Sequence, residues 1–100
     1  MDTDVKRVAV LYGGRLHGRT FVYFVGKRIE IPDYGTADGL PVVVSYEHKG
    51  SKEIYLGSEH SAVILDFYVA QGYTFPPDSE TSDELELIGA SRAIDKWGLR

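Results

Sequence analysis

The chain contains no cysteine, which excludes disulfides and thiolate metal ligands and leaves its redox compartment unmarked. No apolar stretch approaches the roughly 18 residues of a membrane span. The opening MDTDVKR is highly charged and lacks the apolar run of a signal peptide, so export is not expected. The three histidines, His17, His48 and His60, show neither H-x-x-x-H nor HExxH spacing, so the sequence carries no metal motif and no cofactor is expected. Charge of one sign is missing in two places. Between Val5 and Ile29 there are six basic residues and no acid; between Asp78 and Glu86 there are five acids and no base. Opposite blocks of this kind dock on each other, on a partner or between subunits.

What is present fits one domain of 100 residues, 43% hydrophobic and 26% charged, enough for a core of ordinary proportions. Residues 5 to 57 carry strand signals, short runs of Val, Ile, Tyr and Phe punctuated by glycine. They place strands near 5–12, 19–25, 28–32, 41–47 and 52–57. Gly26-Lys27 and Lys49-Gly50-Ser51 read as tight hairpin turns, and PDYGTADGLP (32–41) as a loop. In the first two strands Val8, Val10 and Tyr12 alternate with Ala9 and Leu11, and Phe21, Tyr23 and Val25 with Val22 and Phe24. Both faces are apolar, so both must be covered. Helices suit one face; the other requires curvature toward a barrel, or a second subunit.

Residues 59–71, EHSAVILDFYVAQ, mix strand-favouring residues with the length and Gly72 stop of a helix, and are read as a largely buried helix. Asp66 is the carboxylate most exposed to desolvation there, unless it is paired. A second helix is expected over 82–97, with Thr81 and Glu84 at capping-box spacing and Gly98 as its stop. Its apolar stripe is Leu87, Ala90, Ala93, Ile94 and Trp97. The expected fold is therefore α+β: a curved antiparallel sheet of four to five strands, bent toward a barrel, followed by two C-terminal helices.

The segment YGGRLHGRTF (12–21) is one substitution from the phosphate-binding loop G-x-x-x-x-G-K-[ST]. That loop needs a helix to begin at its lysine. Here Arg19 takes the lysine's place and Thr20 leads into FVYFV, so the segment reads as a hairpin loop. Arg15, His17 and Arg19 on it still offer bidentate bonds to a phosphate or carboxylate. The same stretch, through Gly13, Gly14, Leu16, Gly18 and Arg19, resembles the Gly-Gly-Pro-Leu-Asp-Gly-[Arg/Gln] hairpin that opens many small proteins encoded by phages of actinobacteria. Arg15 stands where that pattern has proline and His17 where it has aspartate. The resemblance covers about seven residues. It implies a small phage gene product, acting in the cytoplasm of a bacterial host or in the virion, and no particular activity.

No nucleophile elbow or other catalytic constellation is visible, so no enzyme is expected. Twelve aromatic residues exceed the needs of a small core and point to an interface. The reading is a non-enzymatic accessory protein that binds or modulates a host protein, with binding residues Arg15, His17, Arg19, Tyr73 and Phe75; the last two lie in a linker stiffened by Pro76 and Pro77. Two alternatives stay open. One is a virion or self-assembling component. The other is a phosphate- or nucleic-acid-binding protein, in which Lys6, Arg7, Lys27 and Arg28 join the basic hairpin around Tyr12, Tyr23 and Phe24.

Overall fold

The structure is a computed structural model that describes residues 5–22, 24, 26–33, 39–40 and 42–99. Its elements are β1 (Lys6–Tyr12), β2 (Thr20–Val22), β3 (Arg28–Asp33), β4 (Val42–Leu56), β5 (Ser61–Ala70) and α1 (Ser79–Trp97). The strands form one sheet in the order β2-β1-β5-β4-β3. β1 and β2 pair antiparallel around the glycine loop, with Val8 opposite Val22 and Val10 opposite Thr20, so that segment is the hairpin its sequence indicates. β3, β4 and β5 form an antiparallel meander.

Several expectations need correction. The sheet is mixed, because β1 pairs β5 in parallel from Lys6–Val63 to Tyr12–Val69. Residues 61–70 are the central strand β5 and not a helix, so a single helix follows the sheet. β5 has neighbours on both edges and packed faces on both sides, and Val63 and Leu65–Ala70 are all buried. A strand in that position has no polar face to show, and its sequence loses the alternation that distinguishes strand from buried helix. His60, with a φ of 51°, sits in the turn before β5 and not at a helix start. Finally, Gly26-Lys27 does not close a hairpin, since β2 and β3 lie at opposite edges of the sheet. Tyr23, Val25, residues 34–38 and Pro41, on which other strand and loop readings fall, lie outside the described residues, while Pro32 and Asp33 belong to β3.

Both faces of the central strands β1 and β5 are covered. On one, Val8, Val10, Val63, Leu65 and Phe67 pack against Leu85 and Ala93 of α1. On the other, Ala9 and Leu11 of β1 share a cluster with Ile29 of β3, Tyr46 of β4 and Tyr68 and Ala70 of β5. Strands three places apart in the order meet there only because the sheet curls. The chain length agrees. From Val22 to Arg28 there are six residue steps, roughly 20 Å at full stretch, barely the ~19 Å width of a flat five-stranded sheet.

α1 begins earlier than its sequence suggests. Asp78 is the cap, its carboxylate accepting the Thr81 N–H at 2.8 Å, and Glu84 turns elsewhere. Gly98 closes the helix in the left-handed region, its N–H donating to the Ile94 carbonyl at 2.7 Å. The buried positions are Leu85, Gly89 and Ala93, one helical turn apart. This phase turns Leu87, expected in the core, out to solvent at 67% exposure.

Candidate functional site

β4 was expected to be two strands separated by a turn at Lys49-Gly50-Ser51. It is one strand of 15 residues, with a register shift between His48 and Gly50: His48 stands opposite Tyr68, Gly50 opposite Phe67 and Ser51 opposite Asp66. On a regular strand His48 and Ser51, three positions apart, point to opposite faces. The bulge supplies the extra residue that brings both to the concave face. Gly50 is required at this bend because Phe75 covers it; a Cβ there would lie 2.9 Å from the Phe75 ring.

Asp66 is the focus of this region. The residue is 2% exposed, and its carboxylate accepts both Nε and Nη2 of Arg7 at 2.9 Å. Ser51 Oγ donates to it at 2.6 Å, and His48 Nε2 lies at 3.4 Å. Burial by itself would raise the Asp66 carboxyl. The hydrogen bonds from Arg7 and Ser51, the Arg7 charge and the His48 bond outweigh it and hold the carboxyl below its ordinary value. The partnership also raises Arg7 through its hydrogen bond to Asp66. The sequence marks Asp66 as exposed to desolvation, and the structure supplies its partner.

Serine, histidine and aspartate together have the composition of a hydrolytic triad, but the geometry differs. One ring nitrogen, His48 Nε2, faces both Ser51 Oγ at 3.0 Å and Asp66 Oδ1 at 3.4 Å. Ser51 gives its proton directly to Asp66. A triad requires the aspartate on one ring nitrogen and the serine on the other, so this arrangement is not a relay. A cavity of about 270 Å³ opens over the network, walled by Phe24, Tyr68, His48 and Lys27.

The five residues singled out as binding positions separate. His17 Nδ1 accepts the Gly13 N–H at 2.9 Å, which leaves Nε2 to donate to Glu84 at 3.1 Å and pins the hairpin loop to α1. Here the basic and acidic blocks meet within the chain. Tyr73, 49% exposed, lies over Gly13 and stands edge-on to Tyr12, whose ring also meets His17. Arg15 and Arg19 are exposed on the same loop. Phe75 is remote from them, half-buried against Phe67 and Gly50. Gly13 has a φ of +82°, and a Cβ there would come within 2.6 Å of the Tyr73 ring. Gly13→Ala is therefore expected to cost about 1–2 kcal/mol through left-handed strain and displacement of Tyr73, read as a lowered urea midpoint.

A second concave surface was missed in the sequence. Between α1 and the end of β4 a groove of about 320 Å³ has Ile54, Leu56 and Ala90 as its apolar lining, Leu87 on its wall and Asp83 and Glu86 beside them. Lys52 reaches Glu86 at 2.7 Å. The available signal was the helical phase, since a stripe through Leu85, Gly89 and Ala93 leaves Leu87 outside. Among the described residues, no group of three or more His, Cys, Asp or Glu is placed to hold a metal ion, and no helix is long and apolar enough to cross a membrane. No family model, curated protein or solved structure matches the chain.

Proposed function

We propose that this protein is a non-enzymatic binding module, an accessory factor of the phage-encoded kind that engages a host protein through the groove between α1 and β4. The observation that carries this reading is Leu87. It is a large aliphatic side chain, two-thirds exposed on a helix whose Leu85 and Ala93 face the core, beside an apolar groove. Exposed apolar area rimmed by polar groups marks a contact surface. Asp83 beside the groove and Glu80 on the same half of the helix, with Glu86 paired to Lys52 and Glu84 to His17, set the partner's chemistry: a basic amphipathic segment whose apolar side chains enter the groove.

Nucleic acid is less well supported. Tyr12 is engaged with His17 and Tyr73, Phe24 with Tyr68, Arg7 with Asp66 and Arg28 with Glu47, which leaves fewer of the expected bases and rings for a strand.

A lysine–leucine amphipathic helical peptide is the direct probe. It is expected to bind the wild type, and Leu87→Asp is expected to weaken binding about tenfold with the circular dichroism and melting curve unchanged. A host protein captured from actinobacterial lysate in the presence of nuclease should be lost with the same variant. Equal binding by wild type and variant overturns the reading. A native mass above the monomer at micromolar concentration that Leu87→Asp reduces moves the groove to self-assembly.

A further inference from the structure

We propose that the concave cavity at the β4 bulge binds a small carboxylate carried on a planar apolar body, with Arg7 and Lys27 holding the acid group and Phe24 and Tyr68 the body. The inference is independent of the groove. It begins with the charges that line the cavity, two fixed cations, Arg7 and Lys27, and one carboxylate, Asp66. Asp66 is already neutralised by Arg7, and Lys27 makes no ion pair among the described residues. The lining therefore carries one net positive charge, which favours an anion and disfavours an ammonium ligand despite the aromatic walls.

The second argument is geometric. Arg7 gives Nε and Nη2 to Asp66, which fixes the plane of the guanidinium. Nη1 takes no part in either bond, and the side chain is 34% exposed. Asp66 occupies the side fork of this guanidinium, and its fixed end, with the Nη1 hydrogens and the second Nη2 hydrogen, is preorganised to donate to a further carboxylate. The walls are equally fixed. Tyr68 is 1% exposed, donates its hydroxyl to the Gly26 carbonyl at 2.6 Å, and meets Phe24 and His48 edge-on at ring separations of 5.5 and 5.2 Å. A volume of about 270 Å³ lies just below the range of drug-sized ligand sites and suits one ring with its acid group.

Stability alone does not account for the network, since apolar packing serves a buried position as well as an ion pair does. The bulge, the glycine beneath Phe75 and the convergence of four polar side chains on one floor make a constructed site.

The test is a nuclear magnetic resonance titration of the full chain with benzoate, benzamide and inorganic phosphate. Benzoate is expected to give saturable shifts of the Tyr68, Phe24 and His48 ring signals. Benzamide, the same ring without the charge, should bind about tenfold more weakly, as should benzoate to Lys27→Gln. Lys27 is exposed, so that variant keeps the fold. Arg7→Lys, which keeps the charge and loses the fork, should weaken benzoate by a similar factor. Absence of saturation, equal binding of benzamide, or an unchanged affinity in Lys27→Gln would each overturn the assignment. Phosphate binding as tightly as benzoate would overturn the planar body.

Discussion

Replacing Asp66 with alanine is expected to destabilise the protein by about 3 kcal/mol, toward the lower end of the range for breaking a buried ion pair. The value is moderated because Arg7, with 34% of its side chain exposed, can regain water once its partner is gone. Ser51 and His48 lose the acceptor they share, and Arg7 keeps its charge on the cavity floor. The pH dependence separates this effect from simple loss of packing. The folded Asp66 carboxyl lies below its ordinary value of 3.8. A depressed carboxylate contributes stability that is complete above the unfolded value and disappears as pH falls through the folded one. Urea unfolding at about pH 7 and about pH 3 should therefore show a larger difference between wild type and Asp66→Ala at the higher pH. A pH-independent difference would mean that the charge is not what the variant removes.

The second large effect is expected from a single oxygen atom. Tyr46 is fully buried; its hydroxyl donates to the Gly13 carbonyl at 2.5 Å and accepts the Leu16 N–H at 3.0 Å. β4 is thus tied to the β1–β2 loop across the concave face, over the top of β5. Burial raises the Tyr46 phenol, as suits a hydroxyl held in its neutral, donating form. Tyr46→Phe keeps the ring and strands both backbone groups, at an expected cost of about 2–3 kcal/mol. Amide exchange at Leu16 should accelerate more than at Val10 in the core of β1, because the loop loses its hold on the curled sheet before the sheet itself opens. Equal acceleration at both amides would show that the hydroxyl does not anchor the loop.

These two residues show where sequence reasoning reaches and where it stops. The alternation of Val8, Val10 and Tyr12 with Ala9 and Leu11 already states that both faces of β1 are covered, because two apolar faces leave water no side. The glycine hairpin was equally legible: Thr20 leads into strand-forming residues, so no helix receives a phosphate at that loop. The acidic start of α1 and Gly98 at its end follow from the backbone groups that a helix leaves unpaired. All of these are local consequences of side-chain shape and backbone hydrogen bonding.

Other features depend on neighbours distant in the chain. Whether VILDFYV is helix or strand is decided by β1 and β4 on either side of it, since a segment buried on every side has no periodicity to read. The parallel pairing of β1 and β5 joins segments more than fifty residues apart. Gly50 reads as a turn until Phe75, brought over it by the linker, shows that it is a bulge. Arg7 and Asp66, 59 residues apart, become one ion pair only when their strands lie side by side. The sequence by itself determined that the protein is α+β, with a two-sided sheet and a capped C-terminal helix, because those properties reside in short windows. The tertiary structure alone decided the strand order, the bulge and the cavity above Asp66, because each is a contact between windows that share no local pattern.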